Sequence, residues 1–443
     1  MKSSLKNRVL SSVWIITAWH FSAGCCVAVK ALAQAPVATS LHADGIYAAG
    51  EKIHWELSLP GVDEARFEVK KNGFKTISSG TIPLVSGSGV LETSLNEPGT
   101  VLVELAEKTA GKELKTLLGA VVEPLKIKPS SPRPADFDDF WKTKIAELNA
   151  IPANPVVEPG ESGTSAVEYF KVQLDNIGGT HVYGQLARPK GEGKFPAILQ
   201  VQYAGVYGLP KSNVVARAQQ GWIALNIMAH DLALDLPADS YKKIGETTLK
   251  NYISFGNDDR EKSYFLRMFL GCYRAADYLA SRPDWDGRVL VVSGGSQGGF
   301  QGLVTAAIHP KITAAMVIVP AGCDSAGSLA EHATSWPWYG AGKDSAGKPK
   351  DAAKVAETSL YFDAVNFASR IKCPTLVGFG LIDKTCPPTA VLSAYNQIQG
   401  PKEAVVLVNS EHVEKNGSQT AFRSRAEAWL KAMKEDRPIP VKK

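Results

Sequence analysis

The sequence predicts an α/β fold, a mostly parallel sheet with helices on both faces, preceded by a small all-β sandwich. Three observations carry this. From Phe195 onward, continuous apolar runs alternate with amphipathic stretches, as in strands buried on both faces and joined by helices. Between residues 35 and 128, short runs instead alternate apolar and polar residues, the period of half-buried antiparallel strands. Between the two lies the proline-rich joint Lys128-Pro129-Ser130-Ser131-Pro132-Arg133-Pro134. A length of 443 residues allows two or three domains at roughly 100–200 residues each. The 44% hydrophobic and 21% charged residues exclude a disordered or collagenous chain.

Residues 1–33 read as an export signal. Residues 2–8 are basic, Val9 to Val29 are mostly apolar or small, and Ala31-Leu32-Ala33 supplies the small-x-small pattern of a cleavage site. Cleavage there starts the mature chain at Gln34 and leaves an exported protein, periplasmic or extracellular, without a membrane segment. The alternative is a retained anchor, because the apolar stretch is nearly long enough to span a bilayer, although His20 and Lys30 interrupt it. The net charge of +5 is largely local to this segment. It contains Lys2, Lys6, Arg8 and Lys30 and no acid, so its loss leaves 5 − 4 = +1. A nucleic-acid partner is not expected, since no basic cluster appears elsewhere.

Residues 34–128 form the predicted sandwich, of immunoglobulin-like type. Its alternating runs include Lys52–Leu57, Ala65–Val69 and Thr100–Leu105. Residues 129–134 read as a semi-rigid linker, and 135–443 as the α/β domain. A helix opens that domain. Asp136 is its predicted cap, Asp139 lies in its first turn, and Phe137, Phe140, Trp141, Ile145 and Leu148 form one apolar stripe. Two antiparallel strands follow, Val167–Leu174 and Val182–Ala187, joined by Asn176-Ile177-Gly178-Gly179. The buried strands are Ala197–Val201, Ile223–Met228, Val289–Ser293, Ala314–Val319, Thr375–Phe379 and Ala404–Val408. Helices are predicted over Tyr264–Leu279, Gln297–Ile308 and Ala421–Met433.

Cys25 and Cys26 fall in the signal. Cys272, Cys323, Cys373 and Cys386 are widely spaced, unlike the paired short intervals of a zinc site, and read as buried small residues. No metal or cofactor is expected.

One turn carries chemistry. Gly294, Ser296 and Gly298 form G-x-S-x-G between a buried strand and a helix, the setting of a nucleophile elbow in an α/β-hydrolase. The glycines leave room for close backbones. The serine then projects at a helix N-terminus, where the Gln297 N–H can hold an oxyanion. A Walker loop is excluded, because no Gly-Lys-Ser/Thr follows.

A serine needs a base, and the eight histidines can be sorted by position. His20 lies in the signal, His42 and His54 in the sandwich. His181 heads a hairpin and His309 ends the helix after Ser296. His230, His332 and His412 remain, and His412 alone follows a later strand, as the Ser–acid–His order requires. His230 is expected to shape the pocket or lie at the surface. His332 falls in an irregular stretch with Trp336 and Trp338 that reads as a cap or pocket wall. Asp383 directly follows Thr375–Phe379 and is the predicted acid, with Asp363 and Glu411 as rivals. The second oxyanion donor falls in Gln202-Tyr203-Ala204-Gly205, at the Ala204 N–H or alternatively that of Tyr203. Tyr203, His230, Trp336, Trp338 and Pro387 are the pocket candidates.

Pro134–Trp141, Gly294-Gly295-Ser296-Gln297-Gly298-Gly299, Asp383-Lys384-Thr385-Cys386-Pro387-Pro388, Ala394-Tyr395-Asn396 and His412 resemble the acetyl xylan esterases and cephalosporin-C deacetylases. The resemblance spans about 134–435 and omits the sandwich. It implies a Ser-His-Asp deacetylase of small acetylated sugars, often hexameric, with Ser296 as nucleophile, Asp383 as acid, His412 as base and Gln297 as an oxyanion donor. Two pocket loops depart from the family pattern. Tyr203-Ala204 stands where Gly-Tyr is usual, and His230-Asp231-Leu232-Ala233 where Arg-Gly-Gln-Gly is usual.

The expected activity is serine ester hydrolysis, with an acetylated saccharide as substrate. A serine peptidase is the rival hydrolase, although a propeller of four to eight blades needs far more chain than residues 34–128. A noncatalytic carbohydrate-binding protein is the rival from another class.

Overall fold

In the computed structural model, nine strands form one sheet in the order Lys402–Leu407, Thr375–Gly380, Ala314–Ile318, Trp285–Gly295, Phe195–Val201, Ile223–Ile227, His181–Pro189, Val167–Asp175, Val156–Gly160. The first six pair in parallel. The last three are antiparallel. The structure describes residues 37–109, 112–340, 342–343 and 347–442. The predicted signal, with His20, Cys25, Cys26 and the Ala33–Gln34 junction, lies outside them. Among the described residues, no helix is long and apolar enough to cross a membrane.

Alternate residues of the central strands feed two apolar layers, as their unbroken apolar sequence requires. Leu199, Leu225, Leu290, Val292, Val317 and Phe379 pack beneath Phe137–Asn149, Tyr264–Ser281 and Gln297–Ile308. Ile198, Ala224, Val291, Met316 and Leu376 pack with Ser212–Gln219 and Thr420–Lys434. The strand Lys402–Leu407 is an exception. It forms the sheet edge and is only partly buried, so a continuous apolar run did not here mark a strand covered on both faces.

The first helix, Phe137–Asn149, buries Phe137, Phe140, Trp141 and Leu148. Trp141 donates its indole N–H to the Tyr361 carbonyl at 3.0 Å. Asp136 does not cap this helix. Its carboxylate accepts instead from the Tyr361 hydroxyl and from Arg260. Tertiary partners outcompeted the local N–H groups.

Residues 37–122 form a sheet of three strands and a sheet of five, packed face to face. Ile53, Trp55, Leu57 and Leu91 from the first meet Ala65, Val69, Val101, Val103, Leu105 and Ala120 from the second. This sandwich and the large sheet belong to one compact unit, Pro36–Lys443. The joint after it is not a free spacer. Ser130 donates its N–H and hydroxyl to Asp324 at 2.9 and 2.7 Å. Asn396 donates to the carbonyls of Pro124 and Ile127.

Candidate active site

Ser296 connects the strand Trp285–Gly295 to the helix Gln297–Ile308 with φ 54° and ψ −122°, a backbone that a non-glycine residue adopts only under strain of about 1–3 kcal/mol. Three backbone hydrogen bonds of 3.0 Å hold it there. Its N–H donates to Ile318, and its carbonyl accepts from Phe300 and Ala321. The flanking glycines permit the tight turn. A Cβ on Gly294 would stand 2.5 Å from the Gly298 backbone, and one on Gly298 would stand 2.6 Å from the Val201 carbonyl oxygen.

Three of the predicted residues meet at the carboxyl edge of the sheet. The Ser296 hydroxyl lies 2.8 Å from His412 Nε2, and His412 Nδ1 lies 2.8 Å from Asp383 Oδ2. His412 stands in the loop between Lys402–Leu407 and Thr420–Lys434. The Asp383 side chain is fully buried, while that of His412 keeps 19% exposure. The other carboxylate oxygen, Oδ1, accepts the N–H groups of Thr385 and Cys386, both at 2.8 Å. With every partner of the carboxylate donating, Nδ1 carries the imidazole proton and the Nε2 lone pair faces the serine. This geometry can remove a proton from Ser296 and stabilise the imidazolium that results.

The rival acids are engaged elsewhere. Asp363 caps the short helix Ala364–Ala368, accepting from Val365, Asp324 and Ser325. Burial, with the Asp324 charge nearby, pushes its pKa up to about 6. Glu411 pairs with Lys415 at the surface. The other described histidines also have partners. His42 meets Glu51, His54 meets Glu92, His309 meets Asp277, and His332 meets Asp324. His181 lies 3.5 Å from Asp231.

Ala204 and Tyr203 lie in the loop that follows Phe195–Val201, and Gln297 begins the helix after Ser296. His230 was a pocket candidate, but it is fully buried beneath this loop. Its Nε2–H donates to the Gly205 carbonyl at 3.0 Å, and its Nδ1 accepts from the Tyr264 hydroxyl at 2.8 Å. Burial lowers its pKa to about 4, which keeps it neutral. Sequence position made it a residue at a strand end and carried no sign of the carbonyl it holds. Gln202 ties the same loop down by donating to Tyr207 and accepting from Ala229. The Gln297 side chain points into the interior, where its Oε1 accepts from Tyr252 at 2.5 Å.

Tyr203 is 60% exposed, its ring 5.0 Å from that of Tyr207. Trp338 is half-exposed, but Trp336 is buried and packs edge-on against Phe265. Its backbone N–H donates to the Thr385 carbonyl at 2.9 Å. Trp336 therefore braces the acid loop and is not an open pocket wall. Pro387 lines a cavity of about 70 Å³ with Asp383, Lys384 and, from the sandwich, Gly73, Thr100 and Leu102.

Among the described residues, Asp383, Cys386 and His412 are the group close enough together to suggest a metal. The geometry disfavours one. Asp383 and His412 already satisfy each other, and burial holds the Cys386 thiol well above its ordinary pKa, whereas a ligand must be the thiolate.

Residues 120–432 match the family model of acetyl xylan esterase (AXE1). The acetyl esterase Axe7A of Xylanibacter ruminicola is 32% identical over 383 residues, 84% of this chain and 85% of that protein. The solved acetyl xylan esterase from Paenibacillus sp. R4 is 27% identical, with a TM-score of 0.56 over 69% of this chain and 98% of that one. Acetyl xylan esterase 1 from Thermoanaerobacterium sp. JW/SL YS485 shares the fold at 22% identity, with a TM-score of 0.58 over 68% and 96% of the two chains. The chain belongs to the acetyl xylan esterase family: it is a carboxylic ester hydrolase of α/β-hydrolase fold, with a small antiparallel β region ahead of the large sheet.

Proposed function

We propose that this esterase is a serine deacetylase of acetylated xylo-oligosaccharides or other small acetylated sugars. His412 takes the proton of Ser296, whose oxygen attacks the ester carbonyl. Asp383 keeps the imidazole in its Nδ1–H tautomer and balances the charge it gains. The N–H groups of Gln297 and Ala204, with Tyr203 as the alternative to Ala204, stabilise the oxyanion, each donor contributing about 2.7–4 kcal/mol to the barrier. His412 then protonates the leaving sugar hydroxyl, the acetyl group stays on Ser296, and an incoming water activated by His412 releases acetate. The observation that carries this reading is the unbroken chain from Ser296 through His412 to Asp383, with two contacts of 2.8 Å.

The acetyl preference rests on the relatives, whose names are those of acetyl esterases. Export is part of the same proposal. It rests on the basic residues 2–8, the apolar stretch after them and Ala31-Leu32-Ala33, and N-terminal sequencing of the released protein for Gln34 tests it.

The deciding experiment measures acetate release from acetylated xylo-oligosaccharides, other acetylated sugars and cephalosporin C, with native protein and Ser296→Ala. Release abolished by the substitution supports the proposal. Cleavage of a peptide anilide without ester turnover would make the protein a peptidase, and no turnover of either would make it a binding protein.

A further inference from the structure

The loop that carries Asp383 is held from two sides, and the second side is the N-terminal sandwich. The alternation of the strand Gly99–Thr109 turns Val101, Val103 and Leu105 into the sandwich core. Thr100, Leu102 and Glu104 therefore face the other way, toward the catalytic fold. The Thr100 hydroxyl lies 2.5 Å from that of Thr389, at the start of the helix Pro388–Gln397. Both residues are buried. Glu104 accepts from Lys384 at 2.6 Å, directly after Asp383 in the chain.

The neighbouring strand comes closer still. A Cβ on Gly119 would stand 2.6 Å from the Leu381 carbonyl oxygen and 2.7 Å from its Cβ. Leu381 is two residues before Asp383 and is itself buried. The Asn72 carbonyl accepts from Ala333 at 3.0 Å, anchoring the segment whose Trp336 braces Thr385. Backbone approach this tight needs a glycine, and a buried hydroxyl pair needs its partner. This is an interlocked surface and not a tether.

We propose that the sandwich is a positioning element for the acid of the triad: Gly119, Thr100 and Glu104 act through Leu381, Thr389 and Lys384 to hold the Asp383 carboxylate on His412. The proposal rests on the triad reading above. A carboxylate favours the protonated imidazole. Moving it away withdraws that support from the imidazolium formed in the transition state, so turnover falls without substrate binding being weakened.

The test uses the full chain, with Gly119→Ala to push on Leu381 and Thr100→Val to remove one hydroxyl at nearly constant volume. Values of kcat and KM on a short acetyl ester are measured beside thermal unfolding, with Ser296→Ala as the reference. The expected result is kcat lowered on the order of tenfold or more with KM little changed. Glu104→Gln should do the same more weakly, since exposed pairs contribute little. If Gly119→Ala does not fold, Thr100→Val decides. A lower melting temperature with kcat unchanged overturns the proposal and leaves the sandwich a structural support. Turnover surviving in Ser296→Ala would instead strike the triad reading.

Discussion

The Cα of Gly298 faces the Val201 carbonyl so closely that a Cβ would stand 2.6 Å from the oxygen. Gly298 belongs to the helix after Ser296, and Val201 ends the strand that leads into the Tyr203–Ala204 loop. The two segments proposed to stabilise the oxyanion are thus in direct backbone contact. Gly298→Ala must separate them. The expected outcome is a loss of about 1–3 kcal/mol of stability and a fall in kcat on the order of a hundredfold, measured by denaturant unfolding and steady-state kinetics. Native kcat in a folded variant would show that this contact does not govern the site.

Asp383→Asn leaves a side chain of nearly the same size but brings an amide where only acceptors fit. The imidazole then favours the wrong tautomer, and kcat should drop about 10⁴-fold. Ester hydrolysis on the purified variant, with circular dichroism to verify folding, checks this.

The strained backbone of Ser296, with φ at 54°, gives a stability prediction separate from activity. Ser296→Gly should be inactive and more stable than Ser296→Ala by about 1 kcal/mol, because glycine adopts positive φ without a steric penalty. Urea midpoints of the two variants decide it. Equal midpoints would mean that the turn stores no strain.

Buried His230 should leave its mark on the pH dependence of stability. Its folded pKa is lowered from 6.5 to about 4, so in that window the unfolded chain binds a proton that the folded chain refuses. Its contribution is complete above pH 6.5 and is lost as pH falls toward 4, by up to about 1.4 kcal/mol per pH unit. Asp363 acts oppositely. With its pKa raised from 3.8 to about 6, its contribution falls as pH rises through that range. His230→Asn removes the first slope and keeps the second. The stability gap between parent and variant at pH 7 should therefore narrow by pH 4.5, as read from urea unfolding at each pH. A constant gap would mean that His230 titrates normally.

Trp141 is fully buried, packed edge-on against Phe140, Phe362 and Phe367. Trp141→Ala should cost about 3–5 kcal/mol, read as a lower denaturant midpoint.

Much of this was legible in the chain itself. Strand and helix periods are local, so the helix Gln297–Ile308 was readable to the residue and the central strands to within a few. Ser296 announced itself because its motif and its strand–helix setting are contiguous in sequence. His412 and Asp383 could be found because chain order constrains which strand ends can supply them. The strand Val156–Gly160 was missed. It is exposed along its whole length, and without a buried face there is no apolar alternation to read.

The sequence by itself thus determined the class of fold, the succession of its central strands along the chain and the three side chains proposed for the chemistry, because each depends on near neighbours or on order along the chain. Tertiary structure decided which partner each polar group found. It gave Asp136 to Tyr361 and Arg260, set His230 beneath Gly205, turned the Trp336 ring inward onto Phe265 and brought Gly119 against Leu381. These outcomes join residues far apart in the chain. Burial decides them, since a polar group removed from water takes whichever partner the packing brings within reach, and no local pattern in the sequence records that choice.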